Sequence, residues 1–498
     1  MKITQLIFKM LISLVLGLVF SFAFNIFLFN LPARPLVDRL LLIGVAALAF
    51  GYLVFAVLEQ PDKLKPAWTA IHEKSVRWKS TALVSFLREH APGLILALFF
   101  VCVYTYLGLR LNHPGIDTTD NFLDADNFTW MRRIAWENGY QYEMRGPHPF
   151  AYLIFRPLGW IFNLFLQNPF LSALLLNTLT GGLCVFLAWI FVKDRFQNKI
   201  YALLIAALMG STTSHLWFGS VIESYIFSAA ALMSFFVLLQ SKKDATCGLI
   251  LAGLVTFGIT LTNVLQTFIG FLVTRPKIKG LIRYAGIVIS LGLILSLIQS
   301  AWYPSSKLFF LASNALAERD FSISIFQEPS WRAMGRIVLL IRTILVYTVI
   351  APRPFVFGEE VGGAFPRFNF FLIAPGEYAF SSYDGLGNLL VFLWAGLLLA
   401  AGIFFLRNTI RKRNPDMALA FVLCIAFNFA LHLSYGYEPF LYSPDWAYAL
   451  VFFVALALGG FAQARWFHVG LLVFFVLLAY NQWQFFKFVF DTIAPFLG

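Results

Sequence analysis

Residues 123–160 read LDADNFTWMRRIAWENGYQYEMRGPHPFAYLIFRPLGW. This stretch carries acidic, basic and tryptophan side chains, yet it lies between two apolar runs, Gly93–Leu109 and Phe170–Val192. Both runs fall within the range of about 17–25 residues that an α-helix needs to cross a bilayer. The runs therefore predict transmembrane helices, and the polar stretch between them is predicted to be a loop at a membrane surface.

The composition of the whole chain is typical of a multi-pass helical membrane protein. Of its 498 residues, 60% are hydrophobic and 12% are charged, and the mean hydropathy is +0.77. A soluble domain carries about 25% charged residues. The net charge is +12, but many basic residues lie in short loops between apolar runs, where they orient helices in the membrane. The charge therefore gives no reason to predict a nucleic acid partner.

About thirteen apolar runs are predicted to cross the membrane, which makes the predicted fold class all-α. The runs are 5–30, 37–58, 93–109, 170–192, 200–217, 221–239, 248–260, 263–273, 281–302, 386–406, 417–433, 447–461 and 467–483. The first run is too long for a signal-peptide core and is expected to be a membrane anchor. The predicted segments are two N-terminal helices with a basic loop (1–92), a central transmembrane module (93–303), a second outer loop with an interfacial helix (304–388) and C-terminal helices (389–498).

The basic loops predict the orientation of the chain. If the loops near 59–92, 193–199, 242–243, 275–279 and 407–413 are cytoplasmic, the large loops 110–168 and 303–388 lie on the opposite face. The small turns 218–223 and 434–446 then lie on that outer face as well. This orientation requires a break near Thr262-Asn263 and places Ile337–Ile350 at the outer interface, which suits Arg336 and Arg342. The alternative is that 337–350 crosses the membrane.

Four aspartates cluster at the start of the first outer loop: Asp117, Asp120, Asp124 and Asp126. They precede a short amphipathic helix that is predicted to run from 127 to 138 and to end at Gly139. Helix capping accounts for one aspartate, and turns can account for Asp117 and Asp120. Capping does not account for the whole cluster, so these carboxylates are candidate functional residues. The Asp-x-Asp spelling also occurs in metal-binding motifs of nucleotide-sugar glycosyltransferases, but nucleotide sugars belong to the cytoplasmic side.

Other polar residues of the predicted outer face are candidates for binding a substrate. Arginine presents a fork of donors that suits phosphate, and a carboxylate close to the membrane is costly unless it is paired or used. The candidates are Arg145, His148, Glu223, Arg342, Arg353, Arg367, Glu438 and Asp445. Each arginine has the alternative role of an interfacial anchor, and Glu223 that of a salt-bridge partner. The sequence shows no zinc spacing and no phosphate-binding loop, so no metal site is predicted, although a divalent metal stays open as a cofactor.

The order of these features resembles the GT-C superfamily of membrane glycosyltransferases, which includes lipid A aminoarabinose transferases and protein O-mannosyltransferases. In those enzymes an acidic pair follows a span, and a helix and a proline-containing stretch come after it. Here Asp124-Ala125-Asp126, Gly139 and His148-Pro149-Phe150 stand in those places. The resemblance covers residues 93–273. It departs from the family pattern in having Asp126, one position displaced, in place of an adjacent Glu, and in two extra spans before residue 93.

The resemblance implies an enzyme that transfers a sugar from a polyprenyl-phosphate carrier to a lipid, glycan or protein acceptor. The active site would lie on the non-cytoplasmic face of a bacterial inner membrane. The implied base is Asp124 or Asp126, with Asp117 and Asp120 in reserve. Two alternatives stay open. A transporter or flippase of a lipid-linked sugar would place carboxylates near the bilayer midplane and show repeated halves. An O-antigen ligase or polymerase would depend on a late outer loop with Arg and His, and 303–388 lacks His.

Overall fold

The structure is a computed structural model that describes residues 3–28, 35–59, 80–241, 246–358, 365–412 and 417–497. The basic residues predicted in cytoplasmic loops at 60–79, 242–243 and 413 lie outside this range. The helices are α1 (Ile3–Leu28), α2 (Leu36–Glu59), α3 (Ser80–Leu111), α4 (Asn127–Ala135), α5 (Ala151–Leu166), α6 (Pro169–Phe196), α7 (Lys199–Ser211), α8 (Thr213–Phe218), α9 (Tyr225–Gln240), α10 (Thr246–Ile259), α11 (Val264–Thr274), α12 (Ile278–Trp302), α13 (Ala312–Ala317), α14 (Ser330–Arg342), α15 (Leu386–Lys412), α16 (Met417–Ser434), α17 (Pro444–Ala457) and α18 (Arg465–Ile493).

Seven of the described helices are long and apolar enough to cross a membrane, namely α2, α3, α6, α12, α15, α16 and α18. Six shorter apolar helices of 10–17 residues accompany them, together with the apolar part of α1 at Lys9–Ser21. These findings confirm the prediction of a multi-pass helical membrane protein. They do not confirm thirteen crossings, because the shorter helices fall below the length of about 17–25 residues that a spanning helix needs.

Helix α6 lies at the centre of the bundle, since 67% of the most apolar 18-residue stretch of this helix is buried. It packs against α3, α7 and α9. A Cβ atom at Gly182 would lie 2.4 Å from the Val101 side chain of α3, so only glycine permits this approach. Small residues let membrane helices pack closely. The contact holds together the middle parts of α3 and α6, the two helices nearest to the ends of the loop 110–168.

The segments 200–217 and 221–239 were each predicted as one span, but the structure shows different helix bounds. The first divides at Thr212 into α7 and α8, and α9 begins only at Tyr225. Asparagine side chains replace the helical hydrogen bonds in the turn between α8 and α9. Asn112 donates to Ser220 O (2.8 Å) and accepts from the Ile222 N–H (3.1 Å), while Asn177 donates to Phe218 O (3.0 Å). Such bonds compete with helix formation, so the outer turn that carries Glu223 is not helical.

The predicted break near Thr262-Asn263 is confirmed. Helix α10 ends at Ile259, a 3-10 turn follows at Leu261–Asn263, and α11 begins at Val264. Backbone groups at the break bind the first outer loop, because the Phe150 N–H donates to Gly258 O (3.2 Å) and the Leu261 N–H donates to Pro147 O (2.9 Å). The break therefore fastens the His148-Pro149 segment to the helix bundle.

The first outer loop contains two helices, α4 and α5, and α4 is the predicted amphipathic helix but is shorter than predicted. It ends at Ala135, and Gly139 lies inside a following 3-10 turn, Glu137–Gln141. A Cβ atom at residue 139 would lie 1.9 Å from Arg132 O. Glycine is required there by close backbone contact and not by a helix cap, so the prediction of a cap at Gly139 is wrong.

The second outer loop contains two β-hairpins that the all-α prediction missed. Strands β1 (Phe355–Phe357) and β2 (Arg367–Asn369) pair antiparallel, as do β3 (Phe371–Ala374) and β4 (Glu377–Phe380). Pro375-Gly376 connects the second pair, with Gly376 at φ +87, as a type II turn requires. The interfacial helix predicted at 337–350 is instead α14 followed by a π-helical turn, Thr343–Tyr347.

Candidate functional site

The acidic loop 117–126 has an unusual backbone. Asp120, Leu123 and Asp124 have φ values of 65, 56 and 65, in the left-handed region. The loop is held there by strand β2, since the Leu123 N–H donates to Phe368 O (3.2 Å) and the Phe368 N–H donates to Asn121 O (2.8 Å). Non-glycine residues in this region cost about 1–3 kcal/mol each and cluster at functional sites. The backbone of this loop supports its choice as the candidate site.

The Asp124 carboxylate forms an ion pair with Arg367, whose Nη2 lies 2.9 Å from Oδ1. Burial and the charge of Asp120 raise the pKa of Asp124 to about 6, against the opposing effect of Arg367. The side chain is therefore mainly ionised at neutral pH but close to its pKa. Such a group is well matched to taking a proton from a substrate at neutral pH.

Asp126 stands at the N-cap position of α4, but its side chain makes no capping hydrogen bond. The capping interpretation is therefore wrong for this residue. The Asp126 N–H instead donates to Glu223 Oε2 at 2.8 Å. Burial raises the pKa of the Asp126 carboxyl, and the Arg133 guanidinium opposes that rise. The Asp126 carboxylate therefore does not cap α4.

Glu223 is 1% exposed and fixes two segments of chain together. Its Oε1 accepts from the Ser224 N–H (2.7 Å) and from Ser224 Oγ (3.1 Å), while Oε2 accepts from Asp126. Burial and the neighbouring Asp126 charge raise the pKa of Glu223 above its usual range. In the part of the chain that the structure describes, Glu223 has no ion pair, so the salt-bridge alternative is not supported.

Asp117 and Asp120 have separate surroundings. Asp117 is exposed, and its Oδ1 accepts from the Thr119 N–H at 3.0 Å, which is the turn role that sequence alone allowed. Asp120 is also exposed, although partial desolvation raises the pKa of its carboxyl. Asp124 and Asp126 are therefore the better-shielded pair of the four.

His148 is held by the break between α10 and α11. Its Nδ1 lies 2.6 Å from Ile259 O. A carbonyl can only accept, so Nδ1 carries the hydrogen and Nε2 is left as an acceptor. Loss of solvation lowers the pKa of His148 to about 3, which keeps the ring neutral. A neutral His148 can accept a hydrogen bond but cannot add positive charge for a phosphate.

Arg145 is bound by a residue that sequence reasoning missed. Its Nη2 lies 2.6 Å from Glu318 Oε2, and the guanidinium stands 3.5 Å from the ring centroid of Phe321. Nη2 also donates to Tyr435 Oη at 3.4 Å, and that hydroxyl donates to Glu318 Oε2 at 3.2 Å. No local pattern marks Glu318, which lies 173 residues from Arg145 in the chain.

Glu438 is buried, at 4% exposure, and only half of its carboxylate is bound. Oε1 accepts from the Phe440 N–H at 3.1 Å, whereas Oε2 has no hydrogen-bond partner among the described residues. Burial raises the pKa of Glu438 to about 8, and the charge of Asp124 adds to the rise. An unsatisfied buried oxygen is expensive, so this atom is suited to a ligand.

Asp445 lies in the first turn of α17 and, like Glu438, is buried. Its carboxylate interacts with Asn263, at the helix break, and with Ser228, while Oδ1 has no partner in the described part of the chain. Tyr225, which sequence reasoning missed, lies between Asp445 and the outer turn, with its ring 5.2 Å from that of Tyr442. These residues extend the candidate site inward.

Arg342 and Arg353 do not join the acidic cluster. Arg342 donates to the Tyr347 hydroxyl at 3.2 Å, and Arg353 stacks over Phe488. Arg353 lines a separate cavity of about 350 Å³ with Asn481 and Gln484. Neither of these two described side chains forms an ion pair with a carboxylate of the candidate site. Arg367 is therefore the arginine of the second outer loop that reaches the acids.

Comparison with known proteins finds a similarity to a solved structure. No protein-family model matches the chain, and no curated protein matches it. The chain is similar to the crystal structure of ArnT from Cupriavidus metallidurans bound to undecaprenyl phosphate, with 15% sequence identity and a TM-score of 0.44. The similarity covers 76% of this chain and 60% of the ArnT chain, so the chain spans less than two thirds of that protein's length.

Proposed function

We propose that this protein is a GT-C-type glycosyltransferase that moves a sugar from a polyprenyl-phosphate carrier to an acceptor hydroxyl on the non-cytoplasmic face. One observation carries the proposal. Carboxyl groups from three distant segments of the chain lie near one another: Glu223 accepts a hydrogen bond from the Asp126 N–H, and Asp124 lies within electrostatic reach of Glu438 and in contact with Arg367. Bases and a cation together are what transfer to a hydroxyl requires.

In the proposed reaction Asp124 is the general base, with Asp126 as the second candidate. The carboxylate takes the acceptor's hydroxyl proton as the acceptor oxygen forms a bond to the anomeric carbon of the sugar. The bond from that carbon to the carrier phosphate breaks, and the phosphate leaves with the electron pair. A carboxylate with a pKa of about 6 can hold the proton and release it to water afterwards.

Arg367 is the proposed partner of the leaving phosphate. It already touches Asp124, so a phosphate bound to it would lie beside the base. The fork of guanidinium donors can bind phosphate oxygens in pairs. Arg145 is the second candidate, and it would have to exchange Glu318 for phosphate.

The carrier's isoprenoid tail needs an apolar surface next to the site. A groove of about 430 Å³ lies between α3, α8 and α18 and is lined by Phe99, Val103, Leu216, Phe475 and Phe486. Side chains of this kind bury an isoprenoid chain favourably. We place the tail of the carrier in this groove.

A metal ion has no step in the proposed reaction. Within the described ranges, no group of three or more His, Cys, Asp and Glu side chains is arranged to hold a metal ion. Asp124 is already neutralised by Arg367, and Glu223 is satisfied by backbone and hydroxyl donors. The residues present therefore do not form a ligand set for the divalent metal that sequence alone left open.

Replacing Arg367 with glutamine is expected to move the pH dependence of transfer. The positive charge lowers the pKa of Asp124, so its removal raises that pKa. A base must be ionised, so the acidic limb of kcat/KM should shift to higher pH, and kcat/KM at pH 7 should fall by about 10–100-fold. The measurement is kcat/KM against pH in membranes. The control is Arg319→Gln, because Arg319 is an exposed arginine of the same outer loop. If the acidic limb of kcat/KM does not shift in Arg367→Gln, the ion pair does not set the pKa of the base.

The orientation of the site can be tested by cysteine labelling. Exposed Cys102 and Cys247 are first replaced by alanine, since both could react. In that background Gly115→Cys is expected to react with a membrane-impermeant thiol reagent applied to the non-cytoplasmic face. Gly460→Cys, at the opposite end of the bundle with open space around its Cβ position, should react only after permeabilisation. The reverse pattern would invert the proposed topology.

A transporter of a lipid-linked sugar is the second candidate function. The observation in its favour is the helix break beside the buried carboxylate of Asp445, since broken helices line substrate sites in transporters. The purified protein in liposomes with a labelled polyprenyl-phosphate sugar distinguishes the two. Transfer to an added acceptor supports the enzyme, whereas carrier movement without any transfer supports the transporter. Deleting the gene and finding which lipid-linked product changes would identify the sugar and the acceptor.

A further inference from the structure

Arg336 lies on α14 but is only 3% exposed, so the prediction that it anchors the chain at the membrane interface is wrong. Its guanidinium donates to a run of backbone carbonyls. The bonds go to His432 O (2.6 and 3.1 Å), Tyr437 O (2.9 Å), Tyr435 O (3.3 Å) and Gly436 O. One side chain therefore binds four carbonyls of the segment 432–437.

These carbonyls need such a partner. Helix α16 ends at Ser434, and the last carbonyls of a helix have no partner within it. Gly436 then takes a left-handed φ of +78, which turns the chain sharply. Arginine offers five N–H donors in a fixed plane, whereas lysine offers three from one point. Only a guanidinium can satisfy this set of carbonyls from a single position.

The segment held by Arg336 supplies two residues to the proposed site. The Tyr435 hydroxyl donates to Glu318 and receives a bond from Arg145. Glu438 follows directly, with its unpartnered Oε2 and its electrostatic interaction with Asp124. A shift of this turn would therefore move both the Glu438 carboxyl group, which interacts electrostatically with the proposed base, and the Tyr435 hydroxyl, which is bonded to the Arg145–Glu318 ion pair.

Helix α14 also packs against the second hairpin. A Cβ atom at Gly335 would lie 2.2 Å from the Tyr378 ring of β4, so the helix rests directly against the second hairpin. In the described part of the chain Arg336 has no ion-pair partner, and a buried charge without one is costly. A neutral side chain would avoid that cost, which favours a specific role for the guanidinium.

We propose that Arg336 is a positioning residue for glycosyl transfer: it fixes the turn 435–438 so that Glu438 remains within electrostatic reach of Asp124 and Tyr435 remains hydrogen-bonded to the Arg145–Glu318 ion pair. This inference rests on the proposed function for its effect on activity. The geometric part, that Arg336 holds the turn, does not depend on it.

The first test measures the turn itself. Hydrogen exchange of the purified protein is compared for wild type, Arg336→Lys and the control Arg332→Lys, an exposed arginine of the same helix. Arg336→Lys should speed amide exchange in 435–441 while α6 and α17 keep wild-type protection, and Arg332→Lys should change neither. Unchanged exchange in 435–441 would overturn the positioning role whether or not the protein transfers a sugar.

The second test measures transfer. Arg336→Lys should lower kcat by about 100-fold, as a displacement of the order of 1 Å near reacting groups does, with little change in KM for the carrier. Residues that act as a unit have non-additive effects. Adding Glu438→Gln to Arg336→Lys should therefore cost much less than Glu438→Gln costs in wild type. Full additivity of the two losses, or a kcat for Arg336→Lys equal to that of Arg332→Lys, would overturn the proposal.

Discussion

Replacing Asp124 with asparagine is expected to lower kcat for sugar transfer by about 10²–10⁴-fold, which is the contribution of a general base. Asparagine keeps the size of the side chain and can still accept a bond from Arg367, but it cannot take a proton. The left-handed φ of 65 at this position also suits asparagine, so the loop should keep its shape. The measurement is transfer from a labelled polyprenyl-phosphate sugar in membranes that contain equal amounts of protein.

The control for this experiment is Asp117→Asn in the same loop. Asp117 is exposed and its carboxylate only closes a turn, a bond that the asparagine oxygen can replace, so transfer should stay near wild type. Asp126→Asn is measured beside it, because the Asp126 carboxylate makes no capping bond and is the second candidate. If Asp124→Asn and Asp126→Asn both keep full transfer, neither residue is the base.

Replacing Glu223 with leucine is expected to destabilise the protein and to abolish most transfer. The change leaves the buried N–H groups of Asp126 and Ser224 without acceptors, at a cost of about 1–3 kcal/mol for each. It also removes the carboxyl group that holds the backbone of Asp126, which is the second candidate base. Glu223→Gln keeps an oxygen acceptor of similar shape and should retain folded protein, so the comparison separates lost hydrogen bonds from the loss of a titratable carboxyl group. Thermal unfolding in detergent and transfer are measured on both variants.

Glu223 also gives the stability of the protein a predictable pH dependence. Its pKa is raised in the folded protein, so the folded state holds a proton that the unfolded state loses at lower pH. As pH rises above the ordinary value of about 4.3, ionisation favours the unfolded state, and stability falls until the raised pKa is passed. Wild type should therefore have a higher Tm at pH 6 than at pH 8. Glu223→Gln should reduce this difference, and an unchanged difference would contradict the raised pKa.

The features that the sequence predicted correctly have local causes. Apolar runs predicted the long spanning helices, and residue spacing predicted α4 as amphipathic. Polar residues at Thr262-Asn263 predicted a break that exists, although its role in binding Pro147 and Phe150 depends on residues more than a hundred positions earlier. The hairpins were missed because the second outer loop was interpreted only by its hydrophobicity and its arginines.

The sequence identified more of the candidate-site residues than of the partners with which they interact. Asp124, Asp126, Glu223 and Glu438 were each candidates, and the structure brings them together. Their partners were not predictable, because Arg367 lies 243 residues from Asp124 and nothing local marks either residue for the other. Arg336 was misplaced for a related reason: an arginine on an amphipathic helix is usually interfacial, and its carbonyl partners come from a turn about a hundred residues away.

The break between α10 and α11 has a mechanical consequence for the protein in its bilayer. Ile259 and Gly258 accept hydrogen bonds from His148 and Phe150, so the segment 148–150 of the first outer loop is coupled to the end of α10. Bilayers of different thickness change the tilt of the helices within them. A change in tilt of α10 would displace His148 by a corresponding amount. Lipid composition would then act on the chemistry at the outer face through the backbone, without any lipid entering the site.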